Sequence, residues 1–136
     1  MSQEMSLTED GDRVLREAQM FCHRSNVAIV AAEHLLAGAL VVLSEAGNAA
    51  VPDRAALEAA LMLTQGGADA HANQVMYGSA ARDAISETAR RVREAGGSAI
   101  DASTLALGVI DSGEVHPMFY GSLGTAKAAL RAAIAG

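Results

Sequence analysis

The chain has few of the residues that hold secreted or all-β proteins together: it contains one cysteine, no tryptophan and 3% aromatic residues. A single cysteine excludes an internal disulfide. Too few residues are β-branched or aromatic to fill several strands, whereas 30 of the 136 residues are alanine, the strongest helix former. An all-β fold is therefore excluded. The length suffices for one domain with a core of small aliphatic side chains.

No basic segment followed by an apolar stretch begins the sequence, so nothing in it argues for secretion and we expect a cytoplasmic protein. The longest apolar run extends from Val27 to Leu43, with Glu33 and His34 at its middle. An acidic residue in that position costs about 2.5 to 3.5 kcal/mol to insert into a bilayer. We therefore expect a buried helix here, and no membrane partner.

The negative charge is concentrated in the first half of the chain. The formal net charge is −6: residues 1–75 carry 4 basic and 10 acidic side chains, and residues 76–136 carry 6 of each. The one basic cluster, Arg90, Arg91 and Arg93, falls on one predicted helix. Because an acidic chain repels phosphate backbones, nucleic acid is not an expected partner.

The two halves of the sequence repeat each other at a constant offset of 70 in residue number. Apolar register is kept without a gap between these positions: Val14 and Ala84, Leu15 and Ile85, Cys22 and Val92, Val30 and Ile100, Leu35 and Leu105, Leu40 and Ile110. Such a repeat indicates a duplicated supersecondary unit whose copies bury each other's apolar faces. We predict a single domain over residues 1–136, with copy one at about 7–65, a glycine-rich linker at 66–74 and copy two at about 77–136.

The apolar spacing predicts an all-α fold of seven helices, three in copy one and four in copy two. The predicted helices of copy one are about 8–25, 32–44 and from 53 onward. Those of copy two include 79–95, a short helix near Pro117 and a last helix at 125–135. Thr8 alone, or Ser6 with Glu9, is expected to cap the first helix. We expect the copies to be related by a pseudo-twofold, with these residues buried near their junction: Val14, Leu15, Leu35, Leu40, Ile85, Ile100, Leu105 and Ile110.

A family resemblance rests on motifs that occur in both copies. Copy one contains Thr8, Val14-Leu15, Ala18-Gln19 and the segment Val30–Gly38, which reads Val-Ala-Ala-Glu-His-Leu-Leu-Ala-Gly. Copy two contains the corresponding residues Tyr77, Ile85, Ile100, Leu105, Leu107-Gly108, Ile110 and Leu123-Gly124. Together they resemble the double repeat of the Clp amino-terminal domain, which heads the ClpA, ClpB and ClpC AAA+ unfoldases. The resemblance spans about residues 7–136 and implies two packed helical repeats.

The function that this resemblance implies is non-catalytic protein interaction. The implied partners are a Clp ATPase, its adaptors, unfolded or arginine-phosphorylated protein substrates, and cyclic peptides; no cofactor is implied. We expect a stand-alone domain, because the nearest approach to a phosphate loop, Gly121–Lys127, lacks the Gly-Lys-Ser/Thr ending. Such a domain serves as an adaptor or a decoy in regulated proteolysis. The alternative is a protein that sequesters a small molecule or peptide antibiotic on the same fold.

Glu33 is the residue with the most evident chemistry. In the first turn of a helix, its carboxylate can accept two hydrogen bonds from a guanidinium while the helix-start N–H groups attract an anion. ClpC-type relatives recognise phosphoarginine with this Glu and a Thr near the start of the first helix, so the resemblance implies Glu33 and Thr8 as ligand-binding residues. The alternative is that Glu33 complements the helix dipole and Thr8 only caps. Since copy two has Ser103 at the Glu position, we predict at most one phosphoarginine per chain.

Neither an enzyme nor a metal site is expected. Cys22 lies on an apolar helical stripe and is expected in the core, and no Gly-x-Ser-x-Gly motif presents a nucleophile. His34 is expected to pack between helices with one ring nitrogen bonded. Of the three consecutive residues Met118–Tyr120, one should be exposed. The four histidines show no metal-ligand spacing: His23, His34, His71 and His116.

Overall fold

The computed structural model describes residues 6–25, 27–65 and 76–135. Within them lie seven α-helices, three in copy one and four in copy two, as predicted. They are α1 Glu9–Arg24, α2 Ala32–Glu45, α3 Arg54–Gln65, α4 Ser79–Glu94, α5 Ala102–Ser112, α6 Pro117–Leu123 and α7 Lys127–Ala135. The predicted linker at 66–74, with His71, lies outside the described residues.

Four strands of two residues each precede the helices and cross between the copies. They are β1 Ser6–Leu7, β2 Ile29–Val30, β3 Met76–Tyr77 and β4 Ala99–Ile100. β1 pairs in parallel with β4, and β2 pairs in parallel with β3. The offset of 70 maps one pair onto the other, so each copy supplies one strand to each pair. The sequence did not predict these strands, because two residues are too few to show a period.

The first two helices of copy one, α1 and α2, pack as an antiparallel pair. Arg13, near the start of α1, forms an ion pair with Glu45 at the end of α2. Cys22, near the end of α1, lies beside Ile29, just before α2 begins, with its Sγ 3.7 Å from the Ile29 carbonyl oxygen. α2 is buried along most of its length and contacts α1, α3 and α5, so it forms the centre of the core.

Polar side chains cap the first helix of copy one, α1, and the second helix of copy two, α5. Thr8 Oγ1 accepts a hydrogen bond from the Gly11 N–H at 3.0 Å, so Thr8 alone caps α1. At the start of α5, the Thr104 N–H donates to Asp101 Oδ1 at 2.8 Å, and the Asp101 N–H donates to Thr104 Oγ1 at 3.0 Å. These starts are therefore held by short polar side chains, as helix propensities favour.

Six of the eight residues expected at the junction are buried: Val14, Leu35, Leu40, Ile100, Leu105 and Ile110. Leu15 and Ile85 are only partly buried, which corrects the expectation for these two. α1 packs mainly on α2, and α4 packs mainly on α5. Leu15 on α1 and Ile85 on α4 are consequently left beside a groove between the copies.

The described helices include none with the combination of length and apolar character that a bilayer span requires.

Candidate functional site

An apolar groove of about 250 Å³ lies where the two copies meet, and we call it the inter-copy groove. Both copies line it, through Leu7, Leu15, Ile85, Ala89, Ile100 and Leu105. Leu15 and Ile85 are counterparts at the offset of 70, so the groove straddles the line that divides the repeats. Leu7, in β1, is 38% exposed and forms part of its open side.

Glu33 lies beside this junction but is engaged within the protein. Its side chain is buried, and Glu33 Oε2 accepts a hydrogen bond from the backbone N–H of His116 at 2.6 Å. His116 in turn caps α6, because its Nδ1 accepts from the Met118 N–H at 3.1 Å. Glu33 therefore connects the start of α2 in copy one to the start of α6 in copy two. This contact gives Glu33 a structural role between the two copies, different from the helix-dipole role that was the expected alternative to ligand binding.

The ring of Tyr120, one turn into α6, lies in the same region. Burial, reinforced by the negative charges of Glu33 and Asp111, raises the pKa of Tyr120 to about 12. Phe119 is fully buried, while Met118 is 58% exposed. The prediction that one of the residues 118–120 is exposed is thus confirmed, and Met118 is that residue.

Strand exchange places Thr8 away from Glu33. The Thr8 N–H donates to the Ile100 carbonyl oxygen at 3.0 Å, which sets Thr8 beside the start of α5 in copy two. Its counterpart Gly78 donates to the Val30 carbonyl oxygen at 3.0 Å, beside the start of α2. Each first helix therefore begins next to the second helix of the other copy.

The structure consequently does not bring Thr8 and Glu33 into one site. Thr8 precedes α1, whereas Glu33 lies near the opposite end of that helix, because α1 and α2 are antiparallel. A helix of 16 residues separates those ends by about 24 Å. The residue that faces the Glu33 turn is Gly78, and the residues in the turn that faces Thr8 are Ser103 and Thr104. We call these two places the Glu33 corner, where Gly78 faces the start of α2, and the Thr8 corner, where Thr8 faces the start of α5. Neither corner combines a threonine at the start of one helix with a glutamate on the facing helix.

His34 and Cys22 are core residues, as the sequence predicted. His34 is fully buried, its Nδ1 accepts from the Ala31 N–H at 2.9 Å, and burial lowers its pKa to about 4. Cys22 is also fully buried, and burial raises the pKa of its thiol to about 12. A thiol with so high a pKa is a poor nucleophile at neutral pH. Among residues 6–25, 27–65 and 76–135, no three His, Cys, Asp or Glu side chains cluster closely enough to hold a metal ion.

A second groove, which the sequence did not reveal, lies between α4 and α5. It encloses about 360 Å³ and is lined chiefly by Arg91, Val92, Ala95, Ala99, Thr104 and Leu107. We call it the α4–α5 groove. All of its lining residues belong to copy two. The sequence did contain a signal for this groove, because Ala99 and Thr104 are smaller than their copy-one counterparts, Ile29 and His34.

Two helical copies that exchange short strands around a shared apolar junction have the fold of a Clp N-terminal domain. The N-terminal domain of the caseinolytic protease associated chaperone ClpD from Arabidopsis thaliana matches with a TM-score of 0.77 and 15% identity, over 95% of this chain and 94% of that one. The Hsp104 N-terminal domain from Candida albicans matches with a TM-score of 0.68 and 9% identity, over 95% of this chain and 89% of that one. The sequence matches no protein-family model and none of the curated proteins.

Proposed function

We propose that this domain is a non-catalytic protein-interaction module that receives polypeptide partners in the inter-copy groove. The observation that carries the proposal is the partial exposure of Leu15 and Ile85 at a junction whose other predicted residues are buried. An open apolar groove is a typical feature of a binding site. The likeness of the fold to the N-terminal domains of ClpD and Hsp104 supports the same function.

The expected partners are a Clp ATPase, its adaptors, or unfolded protein substrates. A groove of about 250 Å³ is small for a ligand site, so it accommodates one or two apolar side chains of an extended segment. Bound in this way, the domain acts as an adaptor that delivers proteins to a Clp ATPase, or as a decoy that occupies the adaptors of one.

A pull-down with single-site variants tests the groove. We expect the immobilised wild-type chain to recover a Clp ATPase, a Clp adaptor or a Clp protease subunit, identified by mass spectrometry. Leu15→Glu and Ile85→Glu each place a charge in the groove and should reduce that recovery at least tenfold. A tenfold loss of affinity corresponds to about 1.4 kcal/mol, and burying an unpaired charge under a bound partner costs more than that.

Leu63→Glu is the matched control, because Leu63 is apolar and 74% exposed on α3, outside the groove. It should leave recovery unchanged. Equal recovery by the wild type and both groove variants would refute the proposal. A small molecule that copurifies with the wild-type chain in native mass spectrometry, with no Clp component recovered, would favour the sequestering alternative instead.

We further propose that any recognition of arginine-phosphorylated proteins is confined to the Glu33 corner, with at most one phosphoarginine per chain. A neutral hydroxyl at Ser103 cannot form the charge-assisted pair that a carboxylate forms with a guanidinium. Binding at Glu33 requires the ligand to share the carboxylate with the His116 N–H. Thr8 lies at the far end of α1 and is assigned only the capping role.

Calorimetric titration with phosphoarginine separates these roles. Glu33→Gln keeps an oxygen that accepts from His116 but removes the charge, so it should weaken binding about 10- to 100-fold. Thr8→Ala removes the cap of α1 and should lower stability by about 1 kcal/mol without changing the affinity. Two equivalent sites per chain, or a loss of binding in Thr8→Ala alone, would contradict the assignment.

A further inference from the structure

We propose that the α4–α5 groove is a second binding site, which takes an aromatic side chain of a partner polypeptide whose neighbouring residue is acidic. The groove is separate from the inter-copy groove, and the two share no lining residue. The proposal therefore stands whether or not the inter-copy groove binds a partner.

The shape of the groove suits a single large side chain. Thr88 and Val92 of α4 form its buried floor, and the Thr88 hydroxyl is already satisfied because it donates to the Ala84 carbonyl oxygen at 2.8 Å. Leu107 of α5 forms the opposite wall, and Ala95 and Ala99 lie at the rim. A volume of about 360 Å³ is at the lower end of the range for ligand sites.

The internal repeat indicates which kind of side chain the α4–α5 groove accommodates. At the offset of 70, Arg91 corresponds to Phe21 and Thr104 corresponds to His34. Both copy-one residues are buried rings, with Phe21 2% exposed and His34 fully buried. Copy one thus has buried rings at two positions whose counterparts line the α4–α5 groove in copy two. Copy two has Arg91 and Thr104 at these positions, and the groove that stays open beside them has room for a ring from a partner.

The charged residues at the rim of the groove indicate why the residue beside the inserted ring should be acidic. In copy one, Phe21, Val41 and Leu61 are apolar and buried. Their counterparts in copy two are Arg91, Asp111 and Arg131, so the same three positions carry an ion triad. Asp111 Oδ2 lies 2.6 Å from Arg91 Nη1 and 2.9 Å from Arg131 Nη2.

Within the triad, the two arginines share the single carboxylate of Asp111. Arg131 also donates from its Nε to Asp111 Oδ1 at 2.9 Å, so Asp111 keeps two bonds to Arg131 if Arg91 turns to another carboxylate. Among the described residues that line the groove, Arg91 alone is charged, and it has a weaker contact of 3.5 Å to Glu87. A carboxylate beside the inserted ring would form a charge-assisted hydrogen bond with Arg91. Arg91 therefore favours an acidic residue beside the inserted ring.

Nuclear magnetic resonance titration of the full chain with short capped peptides tests both halves of the ligand. The probes are hexapeptides of Ser and Gly with a central Phe-Glu, Ala-Glu, Phe-Gln or Phe-Lys pair. The Phe-Glu peptide should shift the amide signals of Ala95, Gly97 and Ala99. The Ala-Glu peptide should bind at least about tenfold more weakly because it buries no ring, and the Phe-Gln and Phe-Lys peptides about tenfold more weakly because they lose the ion pair.

Variants of the chain provide the complementary test. Ala99→Ile restores the residue that copy one has at position 29, and it should block the Phe-Glu peptide at least tenfold; Ala128→Ile on the exposed face of α7 is its control. Arg91→Gln should erase the preference for Phe-Glu over Phe-Gln, whereas Arg82→Gln, on the same helix, should keep it. Circular dichroism verifies that each variant is folded, and the peptide series on the wild type remains decisive if one is not.

Three outcomes would overturn the proposal. The first is no shift at about 2 mM Phe-Glu peptide, a concentration that detects even millimolar affinity. The second is a set of shifts confined to Leu7, Leu15 and Ile85, which would assign the peptide to the inter-copy groove. The third is equal affinity for the Phe-Glu and Ala-Glu peptides.

Discussion

Gly38→Ala is expected to lower the free energy of unfolding by about 2 to 3 kcal/mol, although alanine in a helix interior normally stabilises by about 1 kcal/mol relative to glycine. A Cβ at this position would lie 2.6 Å from the Val14 carbonyl oxygen and 3.1 Å from the Ala18 nitrogen. Both are backbone atoms of α1, so relief requires α1 to move away from α2. Because α2 is the central helix, that movement disturbs its other packing contacts as well.

Gly121→Ala is the matched control for this prediction. Gly121 also lies within a helix, but a Cβ there meets no other atom within 4 Å. It should therefore show the ordinary gain of about 0.5 to 1 kcal/mol. Urea unfolding followed by circular dichroism measures both variants. A Gly38→Ala variant as stable as Gly121→Ala would mean that α1 and α2 approach less closely than described.

The close approach of the first two helices also occurs in copy two, between α4 and α5, but a different residue lies next to the glycine. Gly108 is the counterpart of Gly38, and a Cβ there would lie 1.9 Å from Thr88 Oγ1. Thr88 occupies the position that Ala18 holds in copy one. Glycine at both crossings shows that the duplicated unit requires close approach of its first two helices, whereas the residue it approaches is free to differ between the copies.

The repeat predicted most of the fold because helical periods and start signals are local. The bounds of α1 and α4, Glu9–Arg24 and Ser79–Glu94, differ by the offset of 70 at both ends. Apolar residues at spacings of three and four define such helices without reference to the rest of the chain. The same logic predicted the buried states of Cys22 and His34.

The arrangement of the candidate site could not be predicted in this way, because it depends on which copy each helix start contacts. Thr8 and Glu33 belong to the same copy in sequence, and the family resemblance implied that both bind one ligand. The backbone pairing of β1 with β4 reverses that assignment by placing Thr8 beside α5. Strands of two residues have no sequence signature, and long-range pairing is invisible to local patterns.

The ion triad of copy two could not be predicted from the sequence, for a related reason. Arg91, Asp111 and Arg131 lie far apart in the sequence, on three different helices, at a spacing that no helix period links. Only the packing of α4, α5 and α7 shows that the three charged side chains meet. Replacing buried apolar groups with charges is tolerated here because the three charges pair with one another at a partly exposed rim.

The stability of the domain is expected to fall by about 2 to 3 kcal/mol between pH 7.5 and pH 4.5 because of His34. Its pKa is about 4 in the folded chain and 6.5 when unfolded. Between these values the unfolded state binds a proton that the folded state does not, so acidification favours unfolding. The stabilisation is complete above pH 6.5 and is lost as the pH falls toward 4.

The hydrogen bonds of His34 explain why its protonation is costly. Nδ1 accepts from the Ala31 N–H, so the neutral ring carries its proton on Nε2. A second proton on Nδ1 would break the bond that holds the start of α2. Nε2 itself is buried and has no hydrogen-bond partner in the described part of the chain, so the added charge would also be poorly solvated.

Urea unfolding at pH 7.5, 6.5, 5.5 and 4.5 measures this contribution in the wild type and in His34→Gln. Glutamine at the third helical position can still accept from the Ala31 N–H, as in a capping box, but it does not titrate. The variant should therefore lose most of the slope between pH 6.5 and 5.5, where few carboxylates change charge. His23→Gln, on the exposed part of α1, should keep the wild-type slope. Since Asp111 has a pKa of about 2, its ion pairs weaken only below about pH 4 and do not obscure that interval. An unchanged slope in His34→Gln would show that His34 is not the group whose protonation unfolds the domain.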